Sequence, residues 1–99
     1  MMLTLDELKT LIFPVAAEIG LDRVILFGSY ARGEHEESSG IDVIIDSGGR
    51  LRGKHLFNAI YKLDKCIPYK TDIFELSEVK KPSQTYTSIL NDGITVYER

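Results

Sequence analysis

A glycine–serine pair closing one apolar run, with an aspartate on the next, can do phosphate chemistry. Here the stretch is Phe27-Gly28-Ser29-Tyr30-Ala31-Arg32-Gly33, and Asp42 follows nine residues after Gly33 in Ile41-Asp42-Val43-Ile44-Ile45. Glycine lets a backbone approach an anion closely, N–H groups at the start of a helical turn point toward it, and the Ser29 hydroxyl adds a donor. Asp42 on the following strand could hold a Mg²⁺ that bridges to the same phosphates. Arg32 is long enough to reach a phosphate, or to pair with Glu34 or Glu36. Each feature alone is common: most Gly-Ser turns only reverse the chain, and many strand aspartates are merely exposed.

The surrounding pattern supplies elements to position these groups. Thr4 and Glu7 have capping-box spacing, and Leu5, Leu8, Leu11, Ile12, Val15, Ala16 and Ile19 recur at helical intervals. A first helix is expected over Leu5 to Ile19, ended by Gly20, with Pro14 as a point of kinking. Arg23 to Phe27 reads as a buried strand and Ser29 to Arg32 as a short helix capped by Ser29. Ile41 to Asp46 reads as a strand with Asp42, Ile44 and Asp46 on one face. A helix over Leu51 to Leu63, a strand over Tyr69 to Leu76, a helical turn over Ser77 to Lys81, a helix over Ser83 to Leu90 and an edge strand over Ile94 to Tyr97 follow. The order predicts a mixed α/β (α+β) fold, with about four strands and helices packed on them.

Composition narrows the function. The 99 residues suit one domain over 1–99. The net charge is −3 with no basic stripe, which argues against direct binding to a nucleic-acid backbone. An acidic chain handling phosphate needs a metal ion or backbone N–H groups to offset repulsion. The single cysteine, Cys66, excludes an intrachain disulfide and a Cys-based zinc site, and reads as a small buried hydrophobe. No apolar run reaches membrane-spanning length. The opening residues do not read as a signal peptide, so the expected location is cytoplasmic. His35 and His55 lack metal-ligand spacing and read as solvated, as do Arg50, Arg52 and Lys54. Tyr30 is either a packing residue or the lip of a pocket.

Taken together, these residues resemble the minimal nucleotidyltransferases of the DNA polymerase β superfamily. Gly28 and Ser29 match that family's Gly-Ser strand end, Ala31-Arg32-Gly33 its extension, and Asp42 the second aspartate of its Asp-x-Asp strand. Asp72, in Lys70-Thr71-Asp72-Ile73-Phe74, looks like the family's third carboxylate, and Ile89 to Tyr97 like its closing helix and strand. The resemblance implies a nucleotidyltransferase fold. It further implies transfer of AMP from ATP, with Mg²⁺ held by Asp42 and Asp72, onto a hydroxyl of a protein partner. The chain resembles the minimal nucleotidyltransferases that act as antitoxins beside a HEPN-domain toxin, so the implied partner is a HEPN-type protein.

One position departs from the pattern: the first aspartate of the pair falls at Gly40. Two aspartates two residues apart point to one strand face, and with the third carboxylate they fix two metal ions. Losing a shared ligand worth about 4 kcal/mol slows a reaction about a thousandfold. Glu36, Glu37 and Asp46 are the nearby acids that could compensate. Two functional readings therefore stand beside a purely structural turn. One is a transferase; the other is a catalytically weakened relative that acts by binding its partner. The short chain also makes a homo-oligomer or a partner complex plausible, since either would add buried surface.

Overall fold

The computed structural model describes residues 3–34 and 40–99. His35, Glu36 and Glu37 lie outside them. Helix α1 (Leu5–Ile19) starts with a complete capping box: Glu7 N donates to Thr4 Oγ1 and Thr4 N donates to Glu7 Oε1. Gly20, at φ +83°, closes it in the left-handed conformation that favours glycine. Pro14 lies inside, and the helix continues through it to Ile19. Its Leu8, Ile12 and Ala16 are buried one turn apart.

Four strands form one sheet in the order β3-β2-β1-β4: β1 (Arg23–Phe27), β2 (Ile41–Asp46), β3 (Thr71–Glu75) and β4 (Ile94–Glu98). Strand β1 is antiparallel to both β2 and β4, whereas β2 and β3 are parallel. A parallel pair needs a crossover, and helix α2 (Gly53–Cys66) provides it. Leu51 precedes the helix instead of opening it, because Arg52 is extended and serves as the cap. A 3-10 turn (Leu76–Glu78) and helix α3 (Gln84–Asp92) lead to β4, which lies at the sheet edge.

The alternation of side chains along the strands divides the core in two. Val24, Leu26, Ile41, Val43 and Ile45 face α1 and α2 and pack with Leu8, Ile12, Leu56 and Leu63. Ile25, Phe27 and Ile44 face the other way and are covered by Ile89 of α3. Asp42 follows the second set, on the α3 face. The helix expected over Ser29 to Arg32 is instead a hydrogen-bonded turn. Arg32 N donates to Gly28 O, Gly33 N to Tyr30 O and Glu34 N to Ser29 O. One such loop of bonds is not extended, because Gly33 takes φ +75° directly after it. Among the described residues, no helix is long and apolar enough to cross a membrane.

Candidate active site

Because β1 runs against β2 while β2 and β3 run together, the end of β1 and the beginnings of β2 and β3 meet at one edge of the sheet. Phe27 pairs with Asp42, and Asp42 pairs with Asp72, so three adjacent strands contribute one row. Ile73 packs into the α1/α2 core, which leaves its neighbour Asp72 on the α3 face beside Asp42. Asp42 is half-buried and Asp72 exposed. Neither carboxylate accepts a hydrogen bond or joins an ion pair among the described residues. Burial first, then repulsion from Asp72, pushes Asp42 above the usual carboxylate range, and Arg32 partly counters this.

Gly28, immediately beyond Phe27, has φ +77° and lies against Asp42. A Cβ at position 28 would fall 2.2 Å from Asp42 Oδ2, so only glycine lets the corner and the carboxylate share this space. The hydroxyl and backbone N–H of Ser29, which follows, have no protein partner among the described residues. Arg32 ties the turn to the end of α3. Its Nε donates to Glu34 Oε2 and its Nη1 to Asp92 Oδ2, both at 3.2 Å. These bonds, Glu34's first, raise the guanidinium pKa further. Arg32 and α3 line a shallow groove of about 570 Å³ that also includes Ser83, Thr87, Ser88 and Asp92.

Gly40 lies two residues before Asp42, just ahead of β2 and next to Asp72. A Cβ there would meet Asp72 Oδ2 at 3.6 Å and Lys70 O at 3.5 Å, ordinary contact distances. The position is therefore roomy and aimed at Asp72, yet contributes no carboxylate. Asp46, considered as a substitute, is at the opposite end of β2, where its Oδ2 accepts from Arg23 Nε and Nη2. Among the described residues no three His, Cys, Asp or Glu side chains converge as a metal site. Two adjacent carboxylates nevertheless fit a Mg²⁺ ion of the kind completed by substrate phosphates and water. They do not supply the three-carboxylate set expected of a two-ion site.

Some contacts lie beyond what the sequence suggested. Tyr30 is a packing residue: its hydroxyl donates to Leu3 O at 2.9 Å, while Leu3 N donates to Tyr69 Oη at 2.7 Å. The Gly28–Gly33 turn is thereby linked to the segment leading into α1. Glu75 is almost fully buried and accepts from Ser47 N, Ser47 Oγ and Ser77 N. The local signal for it was its alternation with Thr71 and Ile73, which puts a carboxylate on the core side of β3. Arg50 is not merely solvated, since it reaches Gly20 O and Asp22. His55 is exposed on α2. Cys66 is partly buried, donates to Leu63 O and has its thiol pKa raised chiefly by burial.

The chain belongs to the family described as "Polymerase beta, Nucleotidyltransferase", whose model matches residues 13–99. It is similar over 97 residues, at 29% identity, to a Methanocaldococcus jannaschii protein named as a candidate protein adenylyltransferase. That match covers 95% of this chain and 99% of the relative. A second protein of that organism, with the same type of name, is 72% identical over 25 residues, 25% of each chain. Solved structures share the fold. One is a toxin–antitoxin crystal structure with AMP-PNP, at TM-score 0.75 and 18% identity, covering 92% of this chain and 73% of that one. Another is the MNT antitoxin complex with a tri-AMPylated Shewanella oneidensis HEPN toxin. Its TM-score is 0.71 at 15% identity, over 97% of this chain and 74% of that one.

Proposed function

We propose that residues 1–99 form a single minimal nucleotidyltransferase domain that transfers AMP from ATP to a protein hydroxyl, with a HEPN-type toxin as the partner it restrains. The observation carrying this reading is the placement of Asp42 and Asp72 side by side, with Asp42 against Gly28 and neither carboxylate in an ion pair among the described residues. The names of the similar proteins support the reaction class. In this proposal the Ser29 hydroxyl and the Gly28–Ser29 backbone hold the triphosphate, and Arg32 binds phosphate after exchanging one of its carboxylate partners. Asp42 and Asp72 hold Mg²⁺, which when bound supplies charge stabilisation to the phosphate oxygens. The acceptor hydroxyl oxygen forms a bond to the α-phosphorus and the bond to the bridging oxygen breaks, releasing pyrophosphate. The acceptor proton passes to Asp72, the more exposed carboxylate. Dependence on ATP and Mg²⁺ suits a cytoplasmic setting.

A second reading is favoured by one observation, the absence of a carboxylate at position 40: the chain neutralises its partner by contact and transfers slowly or not at all. Mg²⁺-dependent transfer of label from ATP to a purified HEPN-type protein separates the two. Labelling above background supports the transferase. Tight complex formation without labelling supports the contact mechanism. Because position 40 has room beside Asp72, Gly40→Asp is expected to raise the transfer rate at least about tenfold, a little over 1 kcal/mol of transition-state stabilisation. A Gly40→Asp protein that is folded, inert and unable to bind ATP would overturn the site assignment.

A further inference from the structure

Helix α2 carries an exposed ridge that neither core nor candidate site uses. Lys54, Phe57, Tyr61 and Lys65 recur at intervals of three and four and so align along one side of the helix. Leu56, Ala59 and Leu63 are its buried positions, so the ridge faces away from the sheet. Phe57 is 72% exposed and Tyr61 61% exposed, unusual for two neighbouring aromatic side chains. Lys65 Nζ sits 5.3 Å from the Tyr61 ring centroid. Arg52 and Lys62 flank the ridge, Lys62 paired with Glu18 Oε1 at 3.8 Å, so the stretch from 52 to 65 holds four cations and one acid, Asp64, within a chain of net charge −3. Of the ridge lysines, neither Lys54 nor Lys65 has an ion-pair partner among the described residues.

We infer that this ridge docks an acidic amphipathic helix presented by another protein. The aromatic pair forms an apolar centre with cations at its ends and sides, the layout of a protein interface with an apolar middle and a charged rim. From Lys54 to Lys65 the ridge spans about 17 Å, roughly three helical turns, which matches a helical partner. A second copy is a poor occupant: twofold pairing of the ridge with itself, parallel or antiparallel, sets lysine against lysine. A nucleic-acid backbone is also a poor fit, because cations lie around an apolar centre instead of forming a continuous basic track. Helix α2 packs on the face of the sheet opposite Asp42 and Asp72. Docking there leaves the candidate site open and does not depend on its chemistry.

The test is an NMR titration of the isotopically labelled protein. The probes are a helix-stabilised peptide with a leucine stripe flanked by glutamates, its lysine-flanked counterpart, and single-stranded DNA of equal negative charge. Expected are shifts concentrated at Gly53–Cys66 with the glutamate peptide, at least about tenfold tighter than with the lysine peptide and weakening with salt. Phe57→Ala and Tyr61→Ala should each abolish them while the rest of the spectrum is unchanged, since both side chains are exposed. Absence of binding, equal binding of the two peptides, shifts away from α2, or tighter binding of the DNA at the ridge would each overturn the proposal. Measuring ATP-dependent transfer without any peptide tests the site separately.

Discussion

The two ends of the β2–β3 pair are both acidic and treat their carboxylates in opposite ways. At the far end, Asp46 is held by Arg23 and by Gly48 N, and buried Glu75 accepts three hydrogen bonds from Ser47 and Ser77. At the near end, Asp42 and Asp72 stand beside each other with no bonded partner among the described residues. A satisfied carboxylate locks two segments together. An unsatisfied pair carries repulsion that an incoming cation would relieve. The contrast separates acids bonded into the fold from acids left without a bonded partner among the described residues, although both sets sit on the same two strands.

The largest effect that could break this comparison is on activity. Asp42→Asn should reduce ATP-dependent transfer about a thousandfold or more, as loss of roughly 4 kcal/mol of transition-state stabilisation would. The circular dichroism spectrum should be unchanged. Retained transfer would remove Asp42 from the chemistry. At the other end, Glu75→Ala should cost about 2–3 kcal/mol in denaturant unfolding, because buried donors at Ser47 and Ser77 lose their acceptor. ATP affinity of the protein that remains folded should not change.

A smaller loss is expected from Gly28→Ala. The positive φ alone costs about 1–2 kcal/mol, and the new methyl would also push Asp42 aside. Thermal unfolding together with ATP binding checks both. The smallest effect has the opposite sign. Because Asp42's pKa is raised in the fold, its stabilising contribution is full at low pH and is lost as pH rises through that raised value. Asp42→Asn should therefore stabilise the metal-free protein at about pH 7 by a few tenths of a kcal/mol, a figure kept small because the group is substantially solvated. Unfolding curves should show that gain shrinking as pH falls through the acid range; a gain independent of pH would assign it to some other cause.

Much of the fold was readable because its signals are local. The boundaries of α1, β1 and β2 follow directly from the capping box, the Gly20 terminator and the apolar runs. Helix α2 begins and ends later than Leu51 to Leu63 because Leu51 is apolar without being helical, and polar residues carry the helix on to Cys66. Gly28, Ser29 and Asp42 could be singled out from residue type and spacing, and Asp72 from the family resemblance. Their register could not, since the pairing of Asp42 with Asp72 depends on a parallel crossover through α2. Nor could the Glu75–Ser47 contact, which joins residues 28 positions apart.

Position 40 has an evolutionary consequence. The space beside Asp72 accepts a Cβ at ordinary contact distance, so the first carbon of a side chain there meets no clash. Every glycine codon becomes an acidic codon, for aspartate or glutamate, by one change at its second base. A lineage carrying this chain thus stands a single nucleotide away from placing an acid beside Asp72, and the same step taken in reverse would remove it.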